Sequence, residues 1–209
     1  MENKMALKSE SPVGRRREKQ KTETYAVILE SARFLFETNG FEKTTIRAVA
    51  SHAEIGLGTI YKHFNNKTSL LAAALYDDLV RLFNEAISTI PGEAGIKDQF
   101  IHLAGFNYRY YTSRSRLSRE YLKYIVFVEG DWFKKIEVFD ESYFEEVAKL
   151  VCAAQKRGEI SHEKDCRFVA LSLMADYFFV LWDLFLRKKI ADPGQLLSFL
   201  EKLIEQTIC

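Results

Sequence analysis

Apolar residues recur at helical spacing along nearly the whole chain, and no segment of useful length alternates as a strand would. From Tyr25 onward, Ile28, Ala32, Leu35 and Phe36 share one face, and Asn39-Gly40 supplies a C-terminal stop. Thr44-Thr45 offers an N-cap to a second, short helix whose inner face is Ile46, Val49, Ala50 and Ala53. A tight turn around Glu54 to Gly56 leads into a third short helix, which buries Ile60 and Phe64 and is broken by Asn65-Asn66. A long fourth helix carries Leu70, Leu71, Leu75, Leu79, Phe83 and Ile87 and ends before Pro91-Gly92.

The remainder reads the same way. Helices are expected over about Ile96 to Tyr111, Leu117 to Val128, Glu141 to Lys156 and Asp165 to Arg187, with a last one from Pro193 to the C-terminus. The expected class is all-α, with about nine helices: a three-helix head over residues 23–68, joined by the long helix to a helical body over 69–209. Residues 1–22 are polar, carry Arg15-Arg16-Arg17 and show no apolar period. They are expected to form a disordered basic arm, either a solvating tail or a segment that tracks phosphates.

Composition changes this picture little, and charge somewhat more. With 16 Phe and 10 Tyr against 3 Pro and 10 Gly, the chain can fill a helical core. Its net charge is only +1, but twelve basic residues face eight acidic ones through Lys67, and the rest carries eighteen against twenty-one. A basic head on an acidic body suits a polyanion partner at one end, although chance asymmetry would give the same count. Cys152, Cys166 and Cys209 lack any paired spacing and read as reduced thiols. His52, His63, His102 and His162 are too scattered to hold a metal, so neither metal nor cofactor is expected. No apolar run approaches membrane length and no signal-peptide core is visible, which points to a cytoplasmic protein without a membrane partner. Enzyme motifs are missing too: there is no phosphate loop after a strand, no H-E-x-x-H and no G-x-S-x-G.

The two short helices carry the chemistry. Joined by a tight turn, they form a helix-turn-helix, in which the second helix enters the DNA major groove and the first crosses the backbone. With Ile60 and Phe64 turned inward, Leu57, Gly58, Thr59, Tyr61, Lys62 and His63 surround the outside. Small residues at Gly58 and Thr59 permit close approach, and Tyr61, His63 and Lys67 can donate to phosphates.

The stretch from Ile28 to Leu71, and above all Gly58-Thr59-Ile60-Tyr61-Lys62-His63-Phe64, resembles the N-terminal domain of the TetR family of bacterial transcriptional regulators. The resemblance implies contacts with operator DNA from Thr44, Thr45, Arg47, Leu57, Gly58, Thr59, Tyr61, Lys62, His63 and Lys67. Two positions depart from the pattern: Glu54 replaces a frequent turn glycine, and Gly56 a frequent capping serine. For the body, the resemblance implies a homodimer and an effector site. Val169, Leu173, Trp182, Phe185, Leu196, Phe199, Leu200, Leu203 and Ile204 are candidates for the dimer seam, or else for a monomer core. Phe106, Tyr110, Tyr121, Tyr124, Phe127, Trp132 and Phe133 are candidates for lining an apolar effector pocket, or else packed core. The expected function is a dimeric sequence-specific regulator, a repressor released from its operator by a small apolar effector. The alternative is a DNA-binding protein of the same fold governed by a protein partner or by no small ligand.

Overall fold

Every regular element among the described residues is an α-helix, as the periodicity predicts. A computed structural model describes residues 12–125, 131–186 and 192–208, with backbone alone at 12, 13 and 184–186. The helices are α1 (Pro12–Asn39), α2 (Ile46–His52), α3 (Leu57–His63), α4 (Lys67–Ser88), α5 (Ile96–Ser113), α6 (Ser115–Ile125), α7 (Asp131–Lys156), α8 (Cys166–Leu186) and α9 (Pro193–Ile208). They divide into two compact units, Met1–Leu70 and Leu71–Cys209.

The first unit is a head built on α1. Ile28, Leu29, Ala32 and Phe36 of α1 are buried, as are Val49 and Ala50 of α2, Ile60 of α3, and Phe64 just beyond it. Gly40 ends α1 at φ +84, a left-handed conformation open to glycine without a Cβ penalty, and its N–H donates to Phe36 O at 3.1 Å. Thr44 is buried, and its hydroxyl lies 3.0 Å from Leu35 O and 2.9 Å from Gly40 O, which ties the incoming chain to the end of α1. Thr45 caps α2 by accepting from Ala48 N at 3.0 Å. Asn66 and Ser69 bond reciprocally, Ser69 N to Asn66 Oδ1 at 2.7 Å and Asn66 N to Ser69 Oγ at 3.3 Å, and so open α4.

The second unit packs α5, α7, α8 and α9 around an aromatic core. Tyr108 of α5 stacks on Tyr177 of α8 with ring centroids 5.2 Å apart, and its hydroxyl donates to Tyr177 O at 2.9 Å. Gly95 cannot cap α5 with a side chain, so Glu159, from the turn after α7, accepts from Ile96 N at 2.7 Å. Asp165 caps α8 through the N–H groups of Arg167 and Phe168 at 2.8 and 3.0 Å.

Three expectations change. Residues 12–22, expected as disordered, extend α1; residues 1–11 of the expected arm lie outside the described ones. Good helix formers here continue an existing helix without paying for nucleation, helped by Lys19–Glu23 and Lys21–Glu18 pairs at 3.9 and 3.8 Å. No apolar period marks the segment because all of 14–23 is exposed. Second, α7 begins at Asp131, ten residues before the expected Glu141. Trp132, Ile136, Phe139 and Tyr143 carry the helical spacing back to the Gly130 breaker. Third, Cys152 and Cys166, expected as free thiols, are joined as a disulfide across the α7–α8 turn.

Two outcomes follow for stability. Closing a loop of 14 residues restricts the unfolded chain, so Cys152→Ser or full reduction is expected to cost about 3 kcal/mol. Denaturant midpoints with and without reductant measure it. Glu54 sits at φ +55, where a Cβ is penalised, so Glu54→Gly is expected to stabilise the head by about 1 kcal/mol or less, the gain being partly offset by glycine's chain entropy. Thermal unfolding of the two proteins side by side decides the sign.

Candidate nucleic-acid interface and body cavity

The outer face of α3 is low, polar and open. Tyr61 is 52% exposed and Lys62 is also exposed, while Leu57 and Thr59 are half-buried. A Cβ built on Gly58 meets nothing within 4 Å, so the fold does not require glycine there. The missing side chain leaves a step on the surface at the start of the helix, where an approaching duplex can come close to the backbone. Thr45 and Arg47 are exposed beside it on α2. Among the described residues neither Arg47 nor Lys62 has an ion-pair partner, so both are available to a phosphate or a base edge.

The remaining expected contacts are engaged inside the head. Thr44 is 1% exposed, and its hydroxyl is turned to the end of α1 and not to solvent. Lys67 Nζ donates to Phe41 O at 2.8 Å and lies 4.2 Å from the centre of the Phe41 ring. An ammonium has three N–H groups, so Lys67 can hold Phe41 and still reach outward. The half-buried His63 packs against Tyr25, ring centroids 5.9 Å apart. Burial and then the charge of Lys21 lower its pKa below the usual histidine value, so at neutral pH it offers a single N–H and no charge.

In the body a partly open cavity lies among five helices. Leu79 of α4, Asn107 and Tyr111 of α5, Tyr121 and Ile125 of α6, Ile136, Phe139, Asp140 and Tyr143 of α7, and Met174, Tyr177 and Phe178 of α8 line it. The space between these walls is about 440 Å³ counted with the open mouth, of which about 30 Å³ can hold the centre of a water molecule. Of the seven expected pocket residues only Tyr121 lines it. Tyr110 is buried with its hydroxyl donating to Asp78 at 2.7 Å, and Phe106 packs on His102, ring centroids 5.2 Å apart. Trp132 meets Tyr76 edge-on at 5.8 Å, Phe133 is 47% exposed, and Tyr124 is half-buried off the lining. Phe127 lies outside the described residues.

The polar groups of the cavity were not singled out from the sequence. Asn107 Oδ1 and Tyr143 Oη are buried without a hydrogen-bond partner. Asn107 is near enough to Tyr143 and Tyr177 to oppose the rise in their pKa values, yet no well-formed bond reaches Tyr143. Asp140 is exposed by area but crowded by the aromatic walls, and this desolvation pushes its pKa up to about 6. The only sequence signal was polar residues interrupting aromatic runs, Asn107 between Phe106 and Tyr108 and Asp140 after Phe139.

The expected dimer seam is also redrawn. Val169, Leu173, Leu196, Leu200 and Ile204 are at most 6% exposed within one subunit and therefore belong to its core. Leu203 is half-buried, and the side chain of Phe185 lies outside the described residues. Trp182 and Phe199 are open, at 55% and 39%, and they share α8 and α9 with exposed Phe168, Leu171, Phe178 and Phe179. The periodicity of the all-apolar α8 could not tell its two faces apart.

Known proteins match both units. The family model for bacterial regulatory proteins of the tetR family matches residues 28–74. The repressor KstR of Mycobacterium tuberculosis is 30% identical over 79 residues, which is 38% of this chain and 34% of KstR, so the match spans about a third of that relative. FadR from Bacillus subtilis, in complex with stearoyl-CoA, superposes with a TM-score of 0.72 at 16% identity, over 88% of this chain and 97% of that one. A regulator from Saccharomonospora viridis, in complex with choline, gives 0.69 at 19% identity, over 88% and 96%. At such identities these two speak for the fold alone. No described helix is long and apolar enough to cross a membrane. Residues 28–74 thus carry the helix-turn-helix domain of bacterial regulatory proteins of the tetR family, and the helical architecture of the chain has the same fold as the regulators above.

Proposed function

We propose that this protein is a homodimeric repressor that reads a roughly palindromic operator with α3 and leaves it when a small molecule occupies the body cavity. The observation that carries the DNA-binding part is the outer face of α3, with a step at Gly58 and Tyr61 and Lys62 exposed, flanked by the exposed Arg47. A two-fold pair of such heads presents equivalent helices to the two half-sites.

Dimerisation is supported by the apolar side chains that α8 and α9 leave in water. Phe168, Leu171, Phe179 and Trp182 are each more than half exposed, a concentration that a lone soluble subunit rarely carries. An effector is supported by the cavity and by the fold's neighbours, one of which holds stearoyl-CoA and another choline. The helix α4 contributes Lys67 to the head and Leu79 to the cavity lining, so one element carries residues of both sites. A ligand acts only through its differential affinity for the DNA-competent state, and a coupling of about 1–3 kcal/mol would weaken binding about 5–150-fold. The small roomy part of the cavity, about 30 Å³, favours a second reading in which no small ligand enters and a protein partner governs the regulator.

Selection of bound fragments from random DNA is expected to return inverted half-sites, with affinity falling steeply as salt rises. Gly58→Leu is expected to abolish operator binding while leaving the melting temperature equal or higher, because its Cβ meets open space. Tyr61→Ala is expected to weaken binding to all sequences, and Lys62→Ala to cost about 1–3 kcal/mol at its cognate base pair if it reads a base. Unchanged operator affinity in Gly58→Leu rules out α3 as the reading helix. For the dimer, Phe179→Asp combined with Trp182→Asp is expected to give folded monomers with collapsed operator affinity. Sedimentation shows the change, and a dimeric double variant rules out this seam.

A further inference from the structure

We propose that the body cavity selects a small organic cation, an aromatic or aliphatic body carrying a positively charged nitrogen, with Asp140 as its counter-charge. The proposal deepens the effector reading above and rests on it for the site, though not for the DNA contacts.

The lining sets the chemistry. It holds four tyrosines, Tyr111, Tyr121, Tyr143 and Tyr177, together with Phe139 and Phe178, and Asp140 is its one charged residue among the described ones. Among the described residues no lysine or arginine lines it, so a carboxylate, a phosphate or the phosphoanhydride of an acyl-CoA would enter without a counter-ion and against Asp140. Aromatic faces attract a cation through their quadrupoles, most strongly where water is thinned out. The carboxylate is itself unmatched: among the described residues it has no ion-pair or hydrogen-bond partner, and desolvation alone raises its pKa. An ionised group that costs the folded protein free energy, set on an aromatic cavity, is a group held in readiness for a ligand of opposite charge. The two orphaned polar atoms point the same way. Asn107 Oδ1 can only accept, and Tyr143 Oη can accept as well, so both offer unpaired lone pairs, and with them partial negative charge, to a cation.

The remaining titratable groups facing Asp140 are Tyr76 on α4, Tyr111 on α5 and Tyr121 on α6, with Tyr143 and Tyr177 completing the cavity wall. All have pKa values raised above the usual tyrosine value by burial, so they stay protonated through the neutral range. Glu137 and Glu141 are the acidic neighbours on α7 itself, both exposed. Only Asp140 changes charge on the cavity side as the pH falls from 8 through about 6, and cation affinity is expected to fall with it.

The test uses the full-length protein and two probes of equal shape, phenyltrimethylammonium and the neutral tert-butylbenzene, with lauroyl-CoA as the anionic comparison. Calorimetry is expected to give at least tenfold tighter binding of the cation than of its neutral isostere, and the preference is expected to vanish in Asp140→Asn and below pH 5. That variant should fold at least as well as the parent, because it removes a desolvated charge; its circular dichroism and melting temperature check this. Met174→Trp, which fills the cavity from another helix, should block the cation while leaving Asp140 in place. Preference for the neutral probe or for lauroyl-CoA, or a cation preference that survives in Asp140→Asn, overturns the cation and leaves an effector site standing. Binding of none of the three overturns the cation and the effector reading together, while operator affinity, measured separately, still judges the DNA contacts.

Discussion

Two helices of seven residues each are too short to persist alone in water, and this constraint governs the head. The surface of α3 exists as a helix only because its inner side is buried: Ile60 is fully covered and Phe64 nearly so. Tyr25 supports the same corner by stacking on Phe64, ring centroids 5.5 Å apart. Thr44 then fixes where α2 starts by bonding to the end of α1, and Thr45 satisfies one of the first free N–H groups, that of Ala48. An outward residue such as Lys62 is therefore positioned by residues that never approach the ligand. The isolated carbonyls at the end of α1 accept bonds from Thr44, so the turn is rigid without any buried charge.

The body depends on a different balance. Its core holds many tyrosines, each of which brings a hydroxyl into apolar surroundings where an unmade hydrogen bond is costly. Tyr108 meets that cost by donating to Tyr177 O, and Tyr110 by donating to Asp78. Tyr143 and Asn107 do not, and both lie on the cavity. Polar satisfaction thus fails beside the one carboxylate of the lining. Asp140 adds a second penalty of the same origin: because its folded pKa is raised, the ionised form weakens the fold at neutral pH and the loss is relieved as pH falls through about 6.

The sequence made the head legible and the body less so, for a physical reason. In the head, amphipathic spacing, cap residues and turn residues agree, and each short helix has one inner face to find. Ile28, Phe36, Val49, Ile60 and Phe64 could all be placed in the core from spacing alone, and all are buried. The inward turn of Thr44 was not legible, because a threonine pair before a helix looks the same whether its first member faces solvent or the preceding helix. In the body, α8 is apolar on all sides, so spacing gave no means to separate buried Leu173 from open Trp182. Of the described members of the aromatic set from Phe106 to Phe133 only Tyr121 lines the cavity, for a related reason: aromatic residues pack equally well against a core, an exposed cation or a cavity. Asp140, the residue that gives the cavity its charge, looked like any surface carboxylate. The Cys152–Cys166 bridge was missed because a separation of 14 says nothing until two helices bring the sulfurs together.

The boundary between the two units falls at Leu70–Leu71, inside α4 and not in a linker. A flexible connection forgives changes of length; a helix does not. One residue inserted after Leu70 would turn the rest of α4 by about 100° and advance it by about 1.5 Å relative to the helix's own first turn. Buried Leu70 and Ala74, now four residues apart on one face, would then stand five apart and off it, so the length of this helix is fixed by its own buried face.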